Sequence, residues 1–336
     1  MQKVNGIPYL IAEIGGNHEG DFEVCKIMLD SAIRGGADGV KFQIYTGDNI
    51  VNRFVDPDRA KHFEKFELSH EQYFELAKIC DSASVDFLAS IWDYEALDLF
   101  SERMPFIKIG SGDLTAFPFL KKISSYEKPI LLSTGLSNFQ EIEETYNFIK
   151  ECNPYYENQG TVGIMQCTSM YPIPDEEANL IVINELRLRF PKCLVGYSDH
   201  TEGHKACELA SLLGVDCLEF HFTLETIESD FRDHKVSFTE KSLIKLKKDL
   251  IDNTKFMGSK DKQPTKSEIE SGHTRSFRRA IYLNKDCKIG DVITESNLTA
   301  LRPSEGIPAN QLKNIVGKTL TRNIMAFEPM HLDDFR

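Results

Sequence analysis

No apolar run in these 336 residues approaches the roughly 18 that a membrane-spanning helix needs. The opening MQKVNGIPYLIAEIGG enters a strand pattern at once, without the basic region and long apolar stretch of an export signal. The eight cysteines contain no C-x-x-C spacing, and most fall in apolar-patterned segments. They are expected to be buried thiols in a reducing compartment, which makes the expected location cytoplasmic. There is no low-complexity tract and no dense basic run. With a formal charge of -13, that excludes nucleic acid and anionic membrane surfaces as expected partners. If the substrate is an anion, a few lysines and arginines must reverse the field locally.

What remains is a soluble globular composition, 41% apolar and 27% charged. The length exceeds the usual single domain and suggests one large α/β domain with a smaller one. Short β-rich runs alternate with helical patterns. Strands are expected at 9–14, 38–42, 85–89, 106–109, 129–132, 161–165, 194–197 and 217–220. Helices are expected at 22–34, 71–83, 94–100, 118–125, 138–151, 180–190, 203–213 and 240–257. Eight strands, each followed by a helix, within about 250 residues favour a closed eight-stranded β/α (TIM) barrel over an open sheet. Residues 1–257 would form this barrel and 258–276 a polar linker. Residues 277–336, with short β-like pieces and turn pairs, would form a small second domain without a large core of its own.

The stretch from Leu194 to Leu224 organises the rest. It reads strand, helix, strand, with His200 and His221 at the two strand ends. Neighbouring parallel strands end side by side, so the two imidazoles should converge on one rim. Convergent imidazoles suggest a metal; the alternative is that each histidine caps its strand by hydrogen bonding. The other strand ends are equally rich. They carry Glu13 and Asn17; Lys41 and Gln43; Ser90; Lys108, Ser111 and Asp113; Ser133; Gln166, Thr168, Ser169 and Tyr171; and Ser198 with Asp199. A lone serine after a strand usually starts a turn or caps a helix. A lysine inside an apolar strand is more informative, because its desolvation is relieved by an anionic partner. Two such lysines, several hydroxyls and the Gly110-Ser111-Gly112 backbone suit a small phosphorylated acid.

Read together, AEIGGNHEGD (12–21), GADGVKFQ (36–43), KIGSGD (108–113), LSTG (132–135), QCTSMYP (166–172), GYSDHTEG (196–203) and HFTL (221–224) resemble the sialic acid synthase family. The tail from Arg278, with LRPSEGIP, resembles the antifreeze-like β-clip (SAF) domain that ends those enzymes. The resemblance implies a metal-dependent condensation of phosphoenolpyruvate with an N-acyl hexosamine such as N-acetylmannosamine, giving a nine-carbon 2-keto-3-deoxy acid and phosphate. It implies His200 and His221 as metal ligands. Imidazole ligands suit manganese better than magnesium, the other metal usual in the family. Lys41, Ser90, Lys108, Ser111, Ser133 and Ser198 match phosphoenolpyruvate contacts, with Ser169 near that set. Gln43, Tyr171, Asp233 and Arg302 match positions around the sugar, and Glu13 and Asp113 match the two acidic positions implicated in catalysis.

The resemblance also implies a domain-exchanged homodimer, because Arg302 matches an arginine that reaches a neighbouring chain. Two departures stand out. Many bacterial members carry Glu at the Asp113 position, although Asp also occurs, and Phe231-Arg232 stands where a Pro/Gly-rich turn is common; Arg232 is expected to lie in solvent, the alternative being that it recognises an additional acidic group such as a sugar phosphate. A legionaminate or pseudaminate synthase uses the same chemistry on another sugar. A 3-deoxy-sugar-phosphate synthase fits less well, given the C-terminal domain. A non-enzymatic carbohydrate- or ice-binding protein is the reading from another class.

Overall fold

The structure, a computed structural model, describes residues 6–225 and 231–336. Two compact units divide at 258/259. In the first, eight parallel strands close into a barrel: β1 Tyr9–Glu13, β2 Gly39–Ile44, β3 Asp86–Ile91, β4 Ile107–Ile109, β5 Ile130–Ser133, β6 Val162–Cys167, β7 Leu194–Asp199 and β8 Cys217–His221. The closing pair is β1 with β8. The connecting helices begin with α1 Phe22–Gly35. Three then lie between β2 and β3: α2 Gly47–Ile50, α3 Pro57–Glu64 and α4 His70–Ala83. The rest alternate with strands: α5 Tyr94–Phe100, α6 Phe117–Ser124, α7 Phe139–Cys152, α8 Val182–Arg189, α9 Lys205–Leu212 and α10 Glu240–Met257. The expected architecture is the observed one.

Local sequence explains the element ends. Asp21 accepts a hydrogen bond from Val24 N at the start of α1, and Gly36 at φ 88 ends it in the left-handed region. Asn138 with Glu141 and Thr239 with Ser242 form capping boxes that start α7 and α10. Helices α2 and α3 lie in what reads as one polar connection. They are short, and α3 is announced only by its Asp56 cap and Pro57.

Two separate apolar clusters hold the barrel. One lies between strands and helices and includes Leu10, Phe42, Leu76, Phe87, Leu120 and Leu246. The other, Tyr9, Ile11, Leu88, Phe106, Leu131, Met165 and Cys217, fills the barrel interior. Side chains alternate along a strand, so inward positions recur every second residue. Two residues after Ile11 comes Glu13; after Leu88, Ser90; after Phe106, Lys108; after Leu131, Ser133; after Cys217, Glu219. The alternation therefore lifts the interior from an apolar layer to a charged one at the carboxyl ends of the strands.

The second unit begins with two short helices, α11 Lys266–Glu270 and α12 His273–Ser276, inside the expected linker. Its two-stranded antiparallel sheet pairs β9 Ala280–Leu283 with β10 Leu298–Leu301. Ile281, Leu283, Ile293, Ile307, Leu320, Met330 and Phe335 belong to a small core of its own. Among the described residues, no helix is long and apolar enough to cross a membrane. The eight cysteines are unpaired; Cys152 and Cys193 are half-buried and the others buried.

Candidate active site

Strand register sets the mouth of the barrel. Glu13 pairs with both Lys41 and His221, Ser90 with Lys108, and Ser198 with Glu219, so residues far apart in sequence become neighbours. Lys41 Nζ lies 2.5 Å from Glu13 Oε2, donates to Ser90 Oγ at 3.3 Å, and lies 4.0 Å from Glu219 Oε2. Lys108 Nζ donates to Ser133 Oγ at 2.7 Å and to Ile109 O at 3.2 Å, and lies 3.4 Å from Glu219 Oε1. Both lysines are buried, at 3% and 2% exposure, as the strand pattern requires.

Glu219 is the residue that sequence reasoning missed. It sits between the two lysines and accepts from Ser198 Oγ at 3.1 Å, while its other oxygen is buried without a hydrogen-bond partner. The two carboxylates divide the available positive charge unequally. Burial pushes the Glu13 carboxyl up to about 7, with Lys41 opposing and the Glu219 charge adding. Burial would raise Glu219 as well, but Lys108 and Lys41 outweigh it and hold Glu219 down at about 2. Lys41 would be lowered by burial, yet the two carboxylates hold it above its ordinary value. Glu13 is thus the carboxyl poised to exchange a proton. Gln43 Nε2 orients it by donating to Oε1 at 2.9 Å.

The remaining hydroxyls gather around one glycine. Gly135 N donates to Ser111 Oγ at 3.0 Å, and a methyl group on Gly135 would collide with the hydroxyls of both Ser111 and Ser169. Asp113 lies on the turn after β4, where Trp92 Nε1 donates to its Oδ2 at 2.7 Å and burial raises its carboxyl. Asn17 ties the loop after β1 to the chain beyond β8, donating to Phe222 O at 2.8 Å and Ser237 Oγ at 2.9 Å.

The two imidazoles do converge, with ring centroids 5.2 Å apart. Tyr171 lies against both, 4.1 Å from His200 and 5.6 Å from His221. His200 Nδ1 is 2.8 Å from Thr168 O, which places a proton on Nδ1 and leaves Nε2 to carry the lone pair in the neutral ring. Burial alone would lower His200, but the Cys167 thiol at 4.0 Å and the Thr168 carbonyl raise it, so a cation arriving there competes with a proton. His221 is kept neutral by burial and by the charges of His200 and Lys41; its Nδ1 is buried without a hydrogen-bond partner, 3.9 Å from Asp233 Oδ2. Two imidazoles, an unpartnered ring nitrogen and an adjacent carboxylate fit a divalent transition metal. A second cluster of donors, His204, Glu208 and Asp249, lies between α9 and α10. There the Lys245 ammonium already supplies the cation, 2.8 Å from His204 Nε2 and 2.8 Å from Asp249 Oδ2.

Residues 28–262 match the NeuB family and residues 278–336 match the SAF domain. The chain belongs to the NeuB family. Among curated relatives, this NeuB-family chain is 35% identical to the N,N'-diacetyllegionaminic acid synthase of Campylobacter jejuni, over 94% of this chain and 96% of that one. It is 32% identical to the human N-acetylneuraminate-9-phosphate synthase, over 92% and 88%. A solved structure, the putative spore coat polysaccharide biosynthesis protein E of Chromobacterium violaceum, shares the fold with a TM-score of 0.82 at 24% identity, over 98% of this chain and 99% of that one. Its relatives being sugar-acid synthases, the NeuB-family chain is an enzyme.

Of the residues singled out from sequence, the barrel mouth brings together Glu13, Lys41, Gln43, Ser90, Lys108, Ser133, Tyr171, Ser198, His200, His221 and Asp233, with Ser111 and Ser169 beside Gly135 and Asp113 on the turn after β4. Arg302 lies in the other unit, where its guanidinium is 5.6 Å from the Phe277 ring.

Proposed function

We propose that this enzyme condenses phosphoenolpyruvate with an N-acyl hexosamine of the N-acetylmannosamine type, yielding a nine-carbon 2-keto-3-deoxy acid and phosphate. The observation that carries the reading is the pair of buried lysines facing serine hydroxyls in the mouth of a NeuB-family barrel. Lys41 and Lys108, with Ser90, Ser133 and Ser198, bind the carboxylate and phosphate by charge-assisted hydrogen bonds. Ser111, Ser169 and the Gly135 backbone close the cradle, which any side chain at 135 would fill.

Phosphoenolpyruvate C3 forms a bond to the acceptor's aldehyde carbon and leaves an oxocarbenium at C2. Water adds at C2 and phosphate departs. Glu13, raised to about 7, takes the proton of that water, and Asp113 positions the sugar or delivers a proton to the new alkoxide; the two roles could be exchanged. Gln43, Tyr171 and Asp233 line the acceptor side. A divalent cation held by His200 and His221, manganese rather than magnesium by its donor set, would supply Lewis-acid polarisation of the aldehyde. A legionaminate or pseudaminate synthase is the alternative within the family. The test is phosphate release from phosphoenolpyruvate across a panel of amino sugars, with product mass. No release with any amino sugar overturns the reading.

The enzyme works in the cytoplasm, in keeping with its scattered, unpaired cysteines, as a domain-exchanged homodimer in which Arg302 completes a neighbouring chain's site. Inactive Glu13→Gln chains mixed with inactive Arg302→Ala chains under subunit exchange should recover about a quarter of parental activity, since about half the dimers are mixed and each has one intact site. No recovery despite proven exchange means that Arg302 serves its own barrel or none.

A further inference from the structure

The loop after β8 departs from the family resemblance at Phe231-Arg232, and the structure gives that departure a place; Ser229 and Asp230, just before it, lie outside the described residues. Phe231 packs on Phe66, with ring centroids 5.1 Å apart, which fixes where Arg232 begins. The Arg232 guanidinium then lies over the Tyr171 ring, 4.6 Å from its centroid, and its Nε donates to Asp233 Oδ1 at 3.2 Å. Both partners belong to the histidine pair's surroundings, since Tyr171 lies against His200 and Asp233 approaches His221. Arg232 is therefore held at the mouth by two independent contacts and is not simply solvated.

Its chemistry is specific. A guanidinium that rests on an aromatic ring keeps its N–H edge available for in-plane, two-pronged hydrogen bonding, the geometry that matches a carboxylate or phosphate. Among the described residues its hydrogen bonds engage only Nε, and the side chain is 67% exposed, so its outer edge reaches the solvent through which an acceptor arrives.

We infer that Arg232 is a specificity residue that receives an acidic group, a phosphate monoester or a carboxylate, on the acceptor sugar at the end remote from its aldehyde. The aldehyde must reach the imidazoles, and Arg232 touches Tyr171 and Asp233, the side chains that lie against them, so a group carried further along the sugar chain comes within reach of the guanidinium. This rests on the reading of the mouth as an acceptor pocket.

The experiment measures phosphate release from phosphoenolpyruvate with N-acetylmannosamine, its 6-phosphate and its 6-carboxylate analogue, for the parent enzyme and for Arg232→Gln. The parent should prefer at least one acidic acceptor in kcat/KM by about ten- to a hundredfold, the yield of a charge-assisted pair. Arg232→Gln should bring that ratio close to one, and the phosphate and carboxylate arms distinguish the two acids. Arg232→Lys, which keeps the charge without the planar fork, should retain part of the preference. A parent that uses neutral and acidic acceptors equally overturns the inference and leaves the synthase reading standing. So does an Arg232→Gln variant that loses rate on all acceptors alike with its ratio unchanged, because Arg232 would then act only by holding Asp233. No phosphate release with any of the three acceptors overturns the inference, and the wider panel of amino sugars then decides the synthase reading.

Discussion

Inside one barrel, Tyr9, Ile11, Leu88, Phe106, Leu131, Met165 and Cys217 form an apolar layer, and one step further, on the same or neighbouring strands, lie Glu13, Lys41, Ser90, Lys108, Ser133, Ser198 and Glu219. Both layers are buried and both face inward, so geometry does not distinguish them. The first gains from leaving water, with aromatic contacts such as Tyr9 against Phe106 at 6.1 Å. The second holds two lysines and two carboxyl groups whose desolvation is only partly repaid by pairing. The contrast is the one expected if the charged layer is kept for the substrate proposed for it, with the apolar layer beneath supplying the stability that tolerates it.

The largest break in that contrast is at its upper edge. His221→Ala should abolish turnover and weaken manganese binding, read by calorimetry on the purified protein, while the circular dichroism of the barrel stays parental. Full activity after exhaustive chelation would remove the metal from the scheme.

Next comes the anion layer. Lys108→Met should raise the KM for phosphoenolpyruvate about a hundredfold with a much smaller change for the sugar, since a charge-assisted contact is lost to one substrate only. Equal changes for both would mark Lys108 as structural.

One layer down, the expected effect moves from kinetics to stability. Leu131→Ala should cost about 3 kcal/mol in denaturant unfolding through the cavity it leaves, with the KM for phosphoenolpyruvate nearly unchanged. A large KM change would show that the layers are mechanically coupled.

The last effect is a change with pH rather than an outright loss. Burial raises the folded carboxyl of Glu13 to about 7, well above the roughly 4.3 of an unfolded glutamate. The native state therefore binds that proton more tightly. The resulting stability is fully present below the unfolded value and is lost as pH rises through about 7. Glu13→Gln, which cannot ionise, should gain melting temperature relative to the parent between pH 5 and pH 8. A pH-independent difference would mean that Glu13 titrates as an ordinary carboxyl.

Much of this was legible in the chain. The eight strands were marked by short apolar runs between turn residues, and the expected 106–109 became Ile107–Ile109. Both histidines were legible because each ends a strand. Glu219 was not, because it is a single carboxylate inside the otherwise apolar run Cys217-Leu218-Glu219-Phe220 and was absorbed into that strand. Counting by twos from Cys217 to His221, both inward, would have exposed it. The contact from Trp92 to Asp113 joins two different strand ends and has no sequence signature. The stretch expected as a linker holds α11, and its signal, Thr265 capped by Glu268, was present but short.

Trp92 is the chain's single tryptophan, and its indole is hydrogen-bonded to Asp113 and lies edge-on to Tyr45, 5.8 Å away. All indole emission from the protein therefore originates beside one of the two candidate catalytic acids. An untagged sample thus carries its own optical reporter of that carboxyl. With excitation at wavelengths where tyrosine does not absorb, a substrate or a proton that alters Asp113 should change the emission with no second indole to mask it.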